Sequence, residues 1–381
     1  MLKSLKIENF RSFKSFELQK LGRINLLVGK NNSGKTSLLE AVYILHSNNP
    51  FDALTELLSE RGEYQSENED SDYRSDSELD IKNLFLAREM ELGSEFSITA
   101  TTSTSDEKIS AKIGEYESNF DETTGLFDDQ PGLFDDQSEV FDDSGNAIKE
   151  LSLDLTVNKD GQTETLRQRL SENLGVVRPR FRRSRVRRST PKTLSKGESN
   201  VRFLTSSSLS SRDMAELFEQ HVLNPEELLL YDALKTIEPT VERIASLSSK
   251  KAFFVKLSGF DQRIPIGSLG DGVSRILALA LSIMSAKDGI LLIDEIDTGL
   301  HYSVMSKMWD FLWKTTRQFN IQVFATTHSS DCWQSLADIA GREDLNGDGI
   351  RIHRIEKGAD KSVVFDERKI VVAANREIEV R

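Results

Sequence analysis

The chain of 381 residues has a single cysteine, Cys332, so it can form neither an internal disulfide nor a cysteine cluster for a metal. It has no apolar run of the roughly 18 residues that a membrane span needs. Its first residues, Met1-Leu2-Lys3-Ser4-Leu5-Lys6-Ile7-Glu8, alternate polar and apolar side chains as a strand does, unlike a signal peptide. The expectation is a cytoplasmic protein with no leader or membrane anchor. No sustained heptad occurs between residues 51 and 205, which excludes a long coiled-coil arm there. Basicity is also missing: a formal net charge of −13 argues against a uniformly basic nucleic-acid binder.

That average conceals two opposed tracts. Residues 60–80 are rich in acids, whereas Arg178-Pro179-Arg180-Phe181-Arg182-Arg183-Ser184-Arg185-Val186-Arg187-Arg188 holds seven arginines in eleven positions. Arginines with an interleaved aromatic ring can bind phosphates and stack on bases, so Arg178, Arg180, Arg182, Arg183, Arg185, Arg187 and Arg188 are candidates for nucleic-acid contact. A solvated basic loop paired with the acidic tract, or with an acidic partner, fits the same residues. Between the tracts lies a repeat, Gly125-Leu126-Phe127-Asp128-Asp129-Gln130 followed by Gly132-Leu133-Phe134-Asp135-Asp136-Gln137. Its period is too short for a solenoid and its acidity disfavours a packed core, so it reads as a surface loop or a docking segment.

What is present is a set of four short motifs. Ile24-Asn25-Leu26-Leu27-Val28 reads as a buried strand and residues 37–45 as a helix; between them stands Gly29-Lys30-Asn31-Asn32-Ser33-Gly34-Lys35-Thr36. Strand, glycine-rich loop and helix form the context in which backbone N–H groups cradle phosphates. Gly29, Asn31, Asn32, Ser33, Gly34, Lys35, Thr36 and Ser37 are therefore assigned to nucleotide phosphates. Lys35 would neutralise phosphate charge and Thr36 would ligate Mg²⁺. Ile290-Leu291-Leu292-Ile293 reads as another buried strand ending in Asp294-Glu295. Asp294 suits Mg²⁺ and Glu295 suits a general base for water, provided that the strand turns there, because adjacent strand residues point apart. A third apolar run, 321–325, precedes Thr327-His328-Ser329, where His328 could reach a γ-phosphate. Ser268-Leu269-Gly270-Asp271-Gly272 precedes an apolar helix and reads as a second anion site or as an ordinary cap.

Together these motifs resemble the ABC-type ATPase heads of the SMC, RecF and OLD group, over about residues 1–50 and 250–381. Ile7-Glu8-Asn9-Phe10-Arg11-Ser12-Phe13 is similar to their N-terminal strand signature and residues 29–36 to their Walker A. Residues 268–272 are similar to a divergent signature motif, residues 293–301 to Walker B plus D-loop, and His328 to the switch histidine. The resemblance extends to compact OLD-like proteins labelled AAA-family ATPases and to the ATPase subunits of two-gene phage-defence systems. It implies an α/β P-loop NTPase with an ABC-ATPase-like head, a mixed and largely parallel sheet flanked by helices, interrupted by a partly irregular insertion. The implied parts are 1–50 (head, Walker A), 51–205 (insertion or lid) and 206–381 (head, remaining motifs). The implied cofactors are ATP and Mg²⁺, and the implied assembly is a homodimer with ATP sandwiched between subunits. The resemblance also puts Arg11 near the nucleotide, Ser268, Gly270, Asp271 and Gly272 at the partner's ATP, and Asp297 at the dimer interface. Two departures stand out: Leu269 occupies a usual glycine position, and no Q-loop glutamine can be assigned.

The function expected is a Mg²⁺-dependent ATPase switch in DNA repair, DNA maintenance or anti-phage defence. A TOPRIM nuclease in the same chain would need about a hundred further residues after His328, so a nuclease effector would be a separate protein. A transporter's nucleotide-binding subunit and a non-catalytic nucleotide-sensing scaffold are the alternatives; Glu295 argues against the scaffold.

Overall fold

The computed structural model describes residues 1–64, 78–116, 150–159, 161–171, 173–176, 200–206, 209–224, 227–247, 252–342 and 349–380. The arginine-rich stretch 178–188, the acidic repeat and most of the acidic tract lie outside them.

Strands β1 (Leu2–Phe10) and β2 (Phe13–Gln19) form an antiparallel hairpin. β3 (Ile24–Val28) is buried at every position and leads through the glycine-rich loop into α1 (Lys35–His46) and then α2 (Pro50–Glu60). Asn49 caps α2 by accepting from Phe51 N, and Pro50 takes the first helical position, where no N–H is needed. β4 (Leu79–Asp80) pairs with a later short strand, while β5 (Glu95–Thr102), β6 (Asp106–Glu115), β7 (Leu151–Lys159) and β8 (Gln162–Arg169) run antiparallel to one another. That partner of β4 is β9 (Gly175–Val176). β5 also pairs with β1, giving a six-stranded antiparallel sheet in the order β2-β1-β5-β6-β7-β8.

The rest of the chain builds around a second sheet. β10 (Val201–Leu204) is followed by α3 (Ser211–His221), α4 (Leu228–Lys235), a small antiparallel sheet of β11 (Val241–Leu247), β12 (Ala252–Leu257) and β13 (Ile264–Pro265), and then α5 (Asp271–Ser285). β14 (Ile290–Ile293), α6 (Tyr302–Gln318), β15 (Gln322–Thr326), α7 (Ser330–Ala340), β16 (Ile350–Arg354), β17 (Val363–Phe365) and α8 (Glu367–Asn375) complete it. The strand order is β10-β14-β15-β3-β16-β17, parallel throughout except for β17.

Mostly apolar runs form β3, β14 and β15, because both faces of the sheet are covered there. Leu26, Leu291 and Val323 enter a core with α5, α6 and α7, whereas their neighbours Leu27, Leu292 and Phe324 enter a second core shared with the antiparallel sheet. α1 lies in that second core, against β5 and β6 on one side and β10, β14 and β15 on the other. Its Leu38, Leu39, Ala41, Val42, Ile44 and Leu45 are all buried, as a helix enclosed by two sheets requires. This is the α/β P-loop architecture expected, with a mixed, largely parallel sheet flanked by helices.

The 51–205 span is divided between both sheets. β5 to β8 extend the sheet that β1 begins, and β10 forms one edge of the parallel sheet. Among the described residues, no helix is long and apolar enough to cross a membrane.

Candidate nucleotide site

The loop after β3 turns sharply into α1 at Gly34, whose φ of +94° favours glycine and whose missing Cβ makes room for the ring of Phe13, 2.3 Å from where it would stand. No side chain caps α1, and its first turn contains no acid. By contrast, Asn49, Ser210, Ser329 and Asp366 cap α2, α3, α7 and α8. The N–H groups at the start of α1 are thus open to an anion. Lys35 is buried, and its Nζ donates to the carbonyls of Gly29 at 2.8 Å and Lys30 at 2.9 Å. Burial pulls its pKa below the usual lysine value, while the charges of Asp294 and Glu295 oppose that shift. Ser33 Oγ and Ser37 are also buried, and Ser33 Oγ has no hydrogen-bond partner; Asn31 and Asn32 are exposed on the loop.

β14 ends at Ile293, so Asp294 and Glu295 stand where the chain leaves the sheet. The turn needed for both carboxylates to serve one site is present: Glu295 has φ +47°. Thr36 Oγ1 donates to Asp294 Oδ1 at 3.1 Å, which joins the start of α1 to the end of β14. Thr326, the last residue of β15, donates from Oγ1 to Asp294 Oδ1 at 2.6 Å and accepts the Glu295 N–H at 2.8 Å. A single hydroxyl thus fixes a carboxylate and the backbone of the next residue. Thr298 Oγ1 donates to Glu295 Oε2 at 3.3 Å, and both acids remain half-buried.

The next residues continue the linkage. Thr327 Oγ1 donates to Asp297 Oδ1 at 2.5 Å and accepts the Ser329 N–H at 3.0 Å, tying the turn after β14 to the segment that carries exposed His328. Ser268 and Gly270 are exposed before α5. Ser268 is not its cap: Gly270 takes that place at φ +92°, and no side chain hydrogen-bonds the helix start. Asp271 is exposed in the first turn, and a Cβ on Gly272 would stand 2.8 Å from Gly299 O, so this turn packs tightly on the loop after Asp297.

Arg11, with φ +53°, is buried and already committed to carboxylates. Its Nε lies 2.6 Å from Glu40 Oε2 on α1, and its Nη1 donates to Glu63 Oε1 at 2.9 Å. Arg61 also pairs with Glu40. The guanidinium expected near the nucleotide thus anchors the β1–β2 turn to the buried face of α1.

Two features escaped the sequence reading. Thr326 carries only the signal of a hydroxyl residue closing an apolar run, and its role depends on β15 lying beside β14. Glu40 would have been visible as an acid on an otherwise apolar helix.

These residues suit ATP and Mg²⁺. An uncapped helix start, a buried lysine and an unpartnered buried serine hydroxyl match polyphosphate, while Thr36 and Asp294 offer two adjacent hard oxygen ligands. Mg²⁺ in such sites takes few protein ligands and completes its shell with phosphate and water. No cluster of three or more His, Cys, Asp or Glu side chains is found among the described residues.

Comparison with known proteins finds relatives, a structural neighbour and a family. A relative described as an ATP/GTP phosphatase, from Helicobacter pylori, is 22% identical over 354 residues, covering 91% of this chain and 90% of its own. The DNA replication and repair protein RecF of Clostridioides difficile is 52% identical over 44 residues, only 12% of either chain. A solved Smc head domain bound to the C-terminal domain of ScpA, derived from Pyrococcus furiosus, shares 11% identity over 99% of both chains with a TM-score of 0.45. The model of the AAA ATPase domain matches residues 1–332, and the chain belongs to that family.

Proposed function

We propose that the protein hydrolyses ATP with Mg²⁺ and uses ATP-driven pairing of two copies as a switch in a DNA-related process. The observation that carries the reading is the contact of Thr36 with Asp294, beside a Glu295 backbone held by Thr326. It joins a phosphate-binding helix start to an acidic strand end, the two halves of a nucleotide-hydrolysing site.

In this reading residues 29–37 bind the phosphates, with Lys35 leaving its loop carbonyls for phosphate oxygens. Thr36 and Asp294 hold Mg²⁺, which when bound would neutralise charge on the phosphates. Glu295 orients a water and accepts its proton, and His328 contacts the γ-phosphate. The exposed turn of Ser268, Gly270, Asp271 and Gly272, with Asp297 on the adjoining loop, completes the site of a second copy. The relative named as an ATP/GTP phosphatase supports the activity, and the short stretch shared with RecF supports the link to DNA. The work done is control of a separate effector, such as a TOPRIM-type nuclease in repair or anti-phage defence, with the arginines of 178–188 contacting nucleic acid.

The test is ATP turnover and oligomeric state of wild type and Glu295→Gln, with and without EDTA. Wild type is expected to turn over ATP only with Mg²⁺. Glu295→Gln is expected to bind ATP, lose about 10²–10⁴-fold in turnover and accumulate as a dimer. Wild-type turnover by the variant would remove Glu295 from the mechanism, and a monomer at saturating ATP would remove the sandwich.

A further inference from the structure

We infer that Arg275 is a positioning residue for hydrolysis: it grips the carbonyl groups of Asp294 and Glu295 and thereby links the placement of the Glu295 carboxylate to the first turns of α5. The inference rests on the ATPase reading above, since it assigns how the proposed base is held.

Arg275 lies on α5 about one turn beyond Asp271, and its side chain is buried. Nη1 donates to Thr205 O at 2.7 Å, just after β10. Nη2 donates to Asp294 O at 2.8 Å and to Glu295 O at 3.2 Å. One guanidinium therefore joins the ends of two neighbouring strands to a helix. The planar fork of arginine can span these carbonyls together, whereas the single ammonium of lysine cannot.

Asp294, Glu295 and Asp297 all lie close enough for their charges to act on Arg275. The bonds from Nη2 reach the backbone carbonyls of Asp294 and Glu295, so they act on the main chain from which both carboxylates project.

The backbone there needs holding. Glu295 occupies the left-handed region at φ +47°, a conformation that strains a non-glycine residue and persists only where its surroundings enforce it. Thr326 grips the Glu295 N–H from β15, and Arg275 grips its carbonyl from α5. The residue is thus clamped on both sides, and each clamp comes from a different element. Because α5 also carries the exposed turn at Gly270 and Asp271, a shift of that turn reaches the Glu295 backbone through Arg275.

The test compares Arg275→Met, Arg275→Lys, Glu295→Gln and the Arg275→Met/Glu295→Gln double variant in the full chain. ATP affinity is read with a fluorescent ATP analogue, and kcat and KM are read separately. Arg275→Met is expected to keep ATP affinity within about twofold and to lose about 10–100-fold in kcat, with Arg275→Lys intermediate. Added to Glu295→Gln, it is expected to lower the residual rate no further. If Arg275→Met does not fold, a fall in kcat at unchanged KM in Arg275→Lys carries the same result. Wild-type kcat in the folded Arg275 variants beside an inactive Glu295→Gln overturns the inference alone, as do losses that multiply in the double variant. Wild-type turnover in Glu295→Gln instead overturns the catalytic reading beneath it.

Discussion

The two six-stranded sheets enclose the same helix but use their residues differently. In the antiparallel sheet, polar and apolar positions alternate: β6 buries Ile109, Ala111 and Ile113, with exposed Lys108 before them and exposed Lys112 between the last two. Its ionisable contacts with α1, Arg11–Glu40 and His46–Glu107, lie in the middle of the helix and at its C-terminal end. In the parallel sheet, β14 and β15 are apolar along most of their length and become polar where they end, at Asp294 after β14 and Thr326 at the tip of β15. There the polar groups bond to each other across strands. The antiparallel sheet therefore supports α1 from behind, and the ends of the parallel strands bring their polar groups to its start, where open α/β sheets bind ligands.

A cavity in the antiparallel sheet gives the sharpest separation. Leu155 on β7 is fully buried, and Leu155→Ala is expected to cost about 2–5 kcal/mol in urea unfolding. Turnover per folded molecule is expected to stay at the wild-type value. A fall in kcat beyond the loss of folded protein would show that this sheet contributes to catalysis rather than to support.

Asp294→Asn provides the opposite case. Removing a carboxylate bonded to both Thr36 and Thr326 is expected to lower kcat about 10²–10³-fold, with much less effect on unfolding than Leu155→Ala. If the two variants shifted stability equally and Asp294→Asn kept its rate, the strand end would be structural.

Acid sharpens the comparison through buried His353 and half-buried His46. His353, on β16 of the parallel sheet, has its pKa pushed down to about 3 by burial, with nearby Arg351 acting in the same direction. Burial also lowers that of His46 on α1, although Glu107 opposes it. A folded-state pKa below the unfolded one means that the unfolded chain takes up the proton first. The stability associated with a neutral buried His353 is therefore complete above pH 6.5 and is lost as the pH falls through 6.5 towards about 3. Each such group contributes a slope of about 1.4 kcal/mol per pH unit. His353→Asn is expected to be less stable than wild type at pH 7, with the gap narrowing on acidification. A gap that stays constant down to pH 4.5 would mean that His353 does not titrate between the two states.

The sequence made the parallel sheet plainer than the antiparallel one. Ile24-Asn25-Leu26-Leu27-Val28 and Ile290-Leu291-Leu292-Ile293 announce themselves because burial on both faces requires continuous apolar runs. β8, Gln162–Arg169, has one apolar residue, Leu166, and is defined by its pairing with β7 rather than by a pattern of its own. β10 has only four residues and is a strand because Val201 to Leu204 lie beside Ile290 to Ile293. The site divides similarly. Residues 29–36 and Asp294-Glu295 are contiguous, and their chemistry reads directly from residue type. Arg11 meets Glu40 and Glu63 through contacts spanning 29 and 52 positions, set by how the β1–β2 turn packs on α1.

Thr326 tests whether the polar network at the strand ends matters for rate or only for order. Its hydroxyl has two partners, the Asp294 carboxylate and the Glu295 N–H, and valine has nearly its shape without either bond. A bond to a charged group is worth about 1.5–3 kcal/mol. Half-buried Asp294 can regain part of that from water, so the expected loss of stability in Thr326→Val is about 1 kcal/mol. The rate should respond more than the stability, because catalysis depends on where the carboxylates stand as well as on whether they are solvated. About a tenfold lower kcat at unchanged ATP affinity is expected, measured at a temperature where both proteins are fully folded. An unchanged kcat would mean that the Glu295 turn holds its position without Thr326. The support of the acidic strand end would then come from α5 rather than from β15, and the two sheets would differ less sharply than their strand ends suggest.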